Sequence, residues 1–210
     1  TAPLVATQPV SGTVTATGVS GVMGYTTAGG TKGRFTAVRA AALADEGLQA
    51  IYSSDLQRAA KTAGAIETLF NTKAIVNSSL RERHLGILQG VRTDEAPLRE
   101  PELWKSHISR DIHQDLRGGE SIAKFAQRIQ TALETIRLEH VGKTVLLVSH
   151  GGALDMMYRL ASNQPLEAEK AVSVPNASLN WISHDGQSWK VDGWADTSHL
   201  ENLALDNLDL

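Results

Sequence analysis

The chain has 210 residues, of which 41% are hydrophobic and 20% charged, and this length predicts a single domain spanning residues 1–210. Its formal net charge of −3 provides no excess of positive charge to attract nucleic acid or an anionic membrane, so we expect neither as a partner. The absence of cysteine excludes a disulfide framework and cysteine-bound zinc, and it favours a cytoplasmic location.

The first 37 residues differ from the rest of the sequence. They contain nine threonines and seven glycines, and no aspartate or glutamate occurs before Asp45. They have neither a helix period nor a strand period, and only the letters PLVA near the start are typical of a strand. Residues 1–37 are therefore interpreted as an atypical segment.

From Val38 onward the sequence predicts alternating helices and strands. A helix through VRAAALADEG ends at Gly47, and the strand QAIYSS follows it directly. LQRAAKTAGAIETLF is typical of an alanine-rich helix, and KAIVN of a second strand. The residues from Thr93 to His113 are interpreted as loops that influence substrate choice.

The second half of the chain predicts one long helix, a buried strand and a hairpin. The helix that follows GGES has an apolar stripe formed by Ile122, Phe125, Ile129, Leu133 and Ile136. TVLLV is typical of a parallel strand that is buried on both faces, and GALDMMYRLA of its crossover helix. SLNWIS and SWKVDGW flank the turn signal HDGQ. The predicted fold class is α/β: a three-layer sandwich with a mostly parallel central sheet, helices on both faces and an antiparallel edge hairpin.

Three polar clusters lie where predicted strands end, and open α/β sheets bind ligands at such positions. SSDLQRAAKTA contains Arg58 one turn after a strand. LRERHLGILQG contains Arg81 and Glu82 before a glycine-flanked loop, and VSHGG presents His150 and Gly151 at a strand tip. Together they offer fixed cations for an oxyanion, a carboxylic acid and a histidine.

Each of these residues also has a purely structural interpretation. Taken alone, His150 would be a buried structural histidine and Arg58 a solvated charge on a helix. Glu82 beside two arginines would be a surface ion pair of little energetic consequence. The other histidines have neither metal-ligand spacing nor acidic neighbours, so we predict no metal site.

The motifs together resemble the histidine phosphatase superfamily, which includes the cofactor-dependent phosphoglycerate mutases. SSDLQRAAKTA is similar to its S-S-x-L-x-R-A-x-x-T-A segment, and LRERHLGILQG to its L-R-E-x-x-x-G-x-x-x-G segment. GGES is similar to the entry of its long helix and VSHGG to its second histidine motif, and PNAS and SHL also match. The similarity extends in order and spacing from about Val38 to the C-terminus.

The resemblance implies a phosphoglycerate mutase-like fold and a metal-independent phosphatase that acts on small phosphomonoesters through a phosphohistidine intermediate. It implies that Arg58 and His150 bind the phosphoryl oxygens, and that Glu82 protonates the leaving oxygen and later activates water. Arg81, Gly151 and His199 are the implied substrate-binding residues. The implied partner is a small phosphorylated substrate or inorganic phosphate, no cofactor is implied, and a homodimer is left open.

The sequence departs from the family at the nucleophile. The family carries it in R-H-G-E-T after the first strand, whereas Ala6, Thr7 and Gln8 follow Leu4-Val5 here, so Thr7 occupies the missing-nucleophile position. Two alternatives therefore stay open: mutase-type phosphoryl transfer, and a catalytically inactive protein that binds phospholigands. A change of reading frame between about Ala6 and Ala37 would also explain the tract, and the natural protein would then carry a histidine near position 7.

Overall fold

The computed structural model of the protein describes residues 20–26, 43, 47–170 and 172–198. Six strands are found in this part of the chain: β1 (Ser20–Thr26), β2 (Leu48–Ser53), β3 (Ile75–Val76), β4 (Thr144–Ser149), β5 (Leu179–His184) and β6 (Trp189–Asp196). The α-helices found there are α1 (Gln57–Phe70), α2 (Ala96–Arg99), α3 (Pro101–Ile108), α4 (Ile122–Glu139) and α5 (Gly151–Ser162). Short 3₁₀ turns cover Ser78–Leu80 and Gly86–Leu88.

The strands form one sheet in the order β3-β2-β4-β1-β5-β6. The neighbours from β3 to β1 are parallel, whereas β5 runs antiparallel to both β1 and β6. The carboxyl ends of β2 and β4 lie side by side, with Ser53 opposite Val148. The predicted parallel sheet with an antiparallel edge hairpin is confirmed.

The long helix α4 packs on one face of the sheet. The five residues of its predicted apolar stripe are all buried, and they share a core with Ala50, Tyr52, Val145 and Leu147 of the sheet. The helix begins after Ser121, whose Oγ accepts a hydrogen bond from the backbone N–H of Lys124 at 3.2 Å, as a cap at GGES predicts.

Helix α1 covers the opposite face. Ala59, Ala63 and Ile66 pack against Ile51, Leu146 and Val148 in a second core. Successive residues of β4 thus point alternately to α4 and to α1, because side chains alternate along a strand. The burial of β4 on both faces and the three-layer sandwich were predicted, and both are confirmed.

The loop interpretation of Thr93 to His113 was wrong in part, because α2 and α3 lie in this region. Both helices have a proline at their first or second position, where a missing N–H costs nothing. They are four and eight residues long, and α3 contains no buried residue. Helices this short and exposed carry no long apolar stripe, so periodicity does not reveal them.

Strand β1 lies inside the segment for which no strand period was predicted. It occupies a central place in the sheet, paired with β4 on one side and β5 on the other. Gly21 and Gly24 lower its intrinsic strand preference, so backbone pairing with two neighbours decides its conformation. The strand predicted at PLVA, the position of Thr7 and most of the helix predicted from Val38 lie outside the described residues. In the described part of the chain, no helix is long and apolar enough to cross a membrane.

Candidate active site

The residues that follow β2 and β4 contact one another at the carboxyl edge of the sheet. The backbone N–H of Ser54 donates to the carbonyl of Val148 at 2.9 Å, so the two strand ends stay joined past the last paired residues. His150 directly follows β4 and precedes the first residue of α5. Its Nε2 lies 2.8 Å from Oγ of Ser54. The sheet therefore holds a hydroxyl and an imidazole together at the predicted ligand-binding edge.

His150 is 2% exposed, and both of its ring nitrogens have partners. Arg58 donates from Nε to Nδ1 at 3.0 Å. Because a guanidinium can only donate, Nδ1 carries no hydrogen, and Nε2–H is left to donate to Ser54. Burial and then the charge of Arg58 lower the pKa of His150 from 6.5 to about 4. The imidazole is therefore neutral at pH 7.

Helix α1 positions Arg58 in its first turn. Ala59, the next residue, is buried against the sheet, which fixes the start of the helix relative to β2 and β4. Among the described residues, Arg58 has its side-chain hydrogen bond through Nε. Its two Nη groups are left to donate to a ligand, and the side chain lines a cleft at this edge. A guanidinium presented in this way suits a phosphoryl oxygen or a carboxylate.

The Glu82 carboxylate accepts two backbone hydrogen bonds. Oε1 accepts from the N–H of Arg83 at 2.8 Å, and Oε2 from the N–H of Gly152 at 2.9 Å. Gly152 lies in the first turn of α5, where free N–H groups and the helix dipole favour a negative charge. A Cβ atom at Gly152 would collide with Oε1 of Glu82, so only glycine allows this approach.

Arg58, Glu82 and His150 are therefore brought together. Arg58 contacts His150 directly, and Glu82 binds the backbone two residues beyond His150. Arg58 and Glu82 also line one cleft of about 540 Å³. The cleft is lined by Leu56, Arg58, Ser78, Arg81, Glu82, Arg83, His84, Gln89, Glu120 and Arg128.

The other predicted binding residues have different surroundings. Arg81 lines the cleft but already pairs with Asp55, since Nε donates to Oδ1 at 2.7 Å and Nη2 also contacts the carboxylate. The hydrogen bond from Arg81 lowers the pKa of Asp55. Gly151 begins α5 and has open space where a Cβ would stand. His199 and Thr7 lie outside the described residues.

A second cavity, of about 570 Å³, is also lined by Glu82. Glu82 and Arg83 line both spaces. The second cavity has an apolar wall that includes Phe125 and Met156, and its cations are Arg83, Arg110 and Lys170. Glu82 thus lines both a cation-rich cleft and a cavity with polar and apolar walls.

Sequence reasoning missed four residues that support this site: Ser54, Asp55, Glu120 and Arg128. Ser54 and Asp55 belong to the SSDLQRAAKTA motif, and Glu120 belongs to GGES. Their roles depend on contacts between segments far apart in the chain, such as the 96 residues that separate Ser54 from His150. Only Arg128 lacks a local signal, because one arginine on a long helix is indistinguishable from a solvated charge.

Within the described ranges, no group of three or more potential ligands among histidine, aspartate and glutamate could hold a metal ion. The described residues place a guanidinium, a neutral imidazole and a carboxyl group at this edge; Arg58 and Glu82 line the cleft, and His150 is buried behind Arg58. A parallel α/β sandwich with this constellation at its carboxyl edge defines a class of phosphoryl-group enzymes. The comparison with protein families gives the same class, because the histidine phosphatase superfamily (branch 1) matches residues 31–197. The chain belongs to this superfamily.

Curated relatives carry phosphatase and mutase names. A metal-independent phosphoserine phosphatase of Arabidopsis thaliana is 38% identical over 158 residues, which cover 74% of this chain and 65% of that protein. The chain thus spans less than two thirds of that relative's length. A probable phosphoglycerate mutase GpmB of Escherichia coli is 33% identical over 184 residues, covering 84% of this chain and 85% of that protein.

Solved structures share the fold. The protein YhfR of Bacillus stearothermophilus has a TM-score of 0.78 and 26% identity, covering 87% of this chain and 99% of that chain. A mycobacterial glucosyl-3-phosphoglycerate phosphatase has a TM-score of 0.69 and 24% identity, covering 85% and 99% of the two chains. At that identity the second likeness concerns the fold alone. The predicted phosphoglycerate mutase-like architecture is confirmed.

Proposed function

We propose that this protein is a metal-independent phosphatase of small phosphomonoesters. The observation that carries the proposal is the hydrogen bond from Arg58 to His150, together with the hydrogen bond that Glu82 accepts from the N–H of Gly152, two residues after His150. These contacts gather a cation, an imidazole and a carboxyl group at adjacent strand ends. The phosphatase name of the Arabidopsis relative supports hydrolysis as the outcome.

The proposed roles follow from the donors and acceptors. The phosphoryl oxygens accept hydrogen bonds from the Nη groups of Arg58 and from Nε2–H of His150, which replaces its bond to Ser54. The negative charge of the phosphoryl group raises the pKa of His150 and thus offsets the effect of burial. A nucleophile forms a bond to phosphorus as the P–O ester bond breaks, and Glu82 delivers to the ester oxygen a proton that it takes up when the substrate binds. The leaving alcohol departs neutral, and Glu82 as a carboxylate then accepts a proton from the water that attacks phosphorus, displaces the nucleophile and releases phosphate.

This scheme needs a nucleophile that attacks phosphorus, and the sequence does not supply the histidine that the family uses. In the family's route the phosphoryl group passes first to a histidine and then to water, but this sequence has no histidine before His84. A histidine after the first strand is therefore missing, whichever early strand is considered. Binding of a phospholigand without turnover is the second candidate function, and this observation favours it. Mutase-type transfer to a hydroxyl is the third, supported by the GpmB relatives.

One assay separates these functions. The protein is incubated with p-nitrophenyl phosphate in excess chelator, and its intact mass is followed for addition of one phosphoryl group. Turnover that Glu82→Gln abolishes supports the phosphatase. Background turnover with retained phosphate binding favours the binding protein, and transfer to an added hydroxy acid favours the mutase. Peptide mapping of residues 1–37 shows whether the assayed protein has threonine or histidine at position 7.

A further inference from the structure

Arg128, near the middle of α4, contacts the backbone of the segment that carries Glu82. Its Nη1 donates to the carbonyls of Ser79 at 2.8 Å and Arg81 at 3.1 Å, and its Nη2 to the carbonyl of Glu82 at 3.4 Å. Three carbonyls within four residues therefore converge on one guanidinium. This arrangement needs the planar fork of donors that only arginine provides.

Glu120 holds Arg128 and the following residues of the same segment. Its carboxylate accepts from Nε and Nη2 of Arg128, both at 2.7 Å, and from the N–H of His84 at 3.1 Å. Its backbone carbonyl accepts from Nε of Arg83 at 2.9 Å, and its N–H donates to the carbonyl of His84 at 2.8 Å. Glu120 and Arg128 together thus contact every residue from Arg81 to His84.

The ion pair is built into the structure and is not a loose surface contact. The Arg128 and Glu120 side chains are each 23% exposed. Burial by itself would raise the pKa of Glu120, yet the hydrogen bonds from Arg128 and from the His84 backbone outweigh it and lower that pKa. The guanidinium also stacks over Phe125, whose ring centroid is 4.9 Å away. A pair held by this many partners restricts the segment it binds.

We propose that Arg128 and Glu120 are positioning residues for proton transfer by Glu82. They fix the backbone of Arg81, Glu82 and His84, which lets the Glu82 carboxylate reach the N–H of Gly152 while it lines the cleft. The acid role of Glu82 rests on the proposed function. The positioning of the carboxylate rests on the contacts described above.

The test compares Arg128→Gln and Glu120→Gln with wild type, and Lys124→Met is the matched control. Lys124 lies on the same helix and forms an exposed ion pair with Asp115 at 2.8 Å. Because a displacement of about 1 Å can cost 100-fold in rate, Arg128→Gln should lower kcat by about 30- to 100-fold. At high salt, where the loss of one charge is screened, KM and the dissociation constant of vanadate should stay within about twofold, since the ground-state contacts of the ligand are kept. Lys124→Met should leave all three unchanged.

A second readout does not need turnover. In ¹H–¹⁵N NMR spectra the Gly152 amide resonance should move in Arg128→Gln towards its position in Glu82→Ala, because Glu82→Ala removes the acceptor of the Gly152 N–H and Arg128→Gln displaces it. An unmoved Gly152 resonance overturns the proposal, whether or not the wild type hydrolyses substrate. So does a loss of vanadate affinity equal to the loss in kcat, which would make Arg128 a ligand contact. If Arg128→Gln does not fold, Glu120→Gln is judged by the same resonance.

Discussion

Arg58 donates a hydrogen bond from Nε to Nδ1 of His150, 3.0 Å away, and this contact sets the state of the imidazole. It assigns the ring hydrogen to Nε2, which faces Ser54, and the charge of Arg58 adds to burial in keeping His150 neutral. The ring can then donate a hydrogen bond to an incoming anion at the cost of only one hydroxyl contact. Among the residues that the structure describes, the two Nη groups of Arg58 have no side-chain hydrogen bond, and we propose that they bind the anion.

The first prediction concerns stability against pH. The pKa of His150 is about 4 in the folded protein and near its ordinary 6.5 when unfolded, so the unfolded chain binds more protons between these values. This contribution to stability is fully present above about pH 6.5 and is lost as the pH falls towards 4. The loss of unfolding free energy between pH 7 and pH 4.5 should be smaller in His150→Gln by about 2 kcal/mol.

Urea unfolding at the two pH values measures this difference. His113→Gln is the control, because His113 is exposed. An NMR titration of His150 provides a direct check on the same protein. A ring that titrates near its ordinary value would contradict the buried, Arg58-bonded geometry.

The second prediction concerns binding of phosphate. Charge-assisted hydrogen bonds contribute about 1.5 to 3 kcal/mol each, so Arg58→Ala should weaken phosphate binding by roughly 10- to 100-fold. Isothermal titration calorimetry at low salt is the measurement. Arg92→Ala is the control, because Arg92 is exposed and pairs with Asp94 outside the cleft. Equal affinity in wild type and Arg58→Ala would remove Arg58 from the site.

The third prediction concerns the pair of Arg81 and Asp55. Their side chains are 51% and 27% exposed, so breaking this solvent-screened pair should change the stability of the fold very little. Asp55→Asn should nevertheless tighten phosphate binding several-fold at low ionic strength, because it frees Arg81 and removes a negative charge near the site. Added salt should reduce the gain. Unchanged affinity at low salt would mean that Arg81 has no part in binding, contrary to the role that the family resemblance implies.

Much of the fold could be predicted because its signals are local. The stripe of α4 and the unbroken apolar run of β4 report their burial directly in the sequence, and the Asp-Gly turn marks the hairpin. The helices α2 and α3 were not predicted, because helices of four and eight residues are too short to show a clear hydrophobic period. Strand β1 was not predicted, because its pairing with β4 and β5, and not its amino-acid composition, makes it a strand.

In the candidate site, too, residues in local motifs could be predicted, whereas contacts between distant segments could not. The sequence could predict that Arg58, Glu82 and His150 lie near one another, because each belongs to a motif that follows a predicted strand. The pairing of Glu120 with Arg128 could not, because it joins α4 to the segment before it only once the chain is folded. Nor could the sequence predict that Arg81 pairs with Asp55, which lies 26 residues earlier in the chain.

The last prediction tests the close approach of Glu82 to α5. Gly151 and Gly152 are neighbours in the first turn of this helix, yet a Cβ at Gly151 meets open space whereas one at Gly152 meets the Glu82 carboxylate. Replacing a helical glycine by alanine favours the helix by up to about 1 kcal/mol, so Gly151→Ala should be neutral or slightly stabilising.

Gly152→Ala gains the same helix propensity but must displace the Glu82 carboxylate, which breaks the hydrogen bond that the carboxylate accepts from the Gly152 N–H. The carboxylate is the end of a flexible side chain and can move aside, so the two variants should differ in unfolding free energy by about 1 kcal/mol, the usual contribution of the lost hydrogen bond, in urea titrations. In the double variant Gly152→Ala with Glu82→Ala the penalty should largely disappear, because the colliding atoms are gone. If Gly152→Ala is as stable as Gly151→Ala, the Glu82 carboxylate does not bind the N–H of Gly152, and the positioning proposed for Glu82 fails with it.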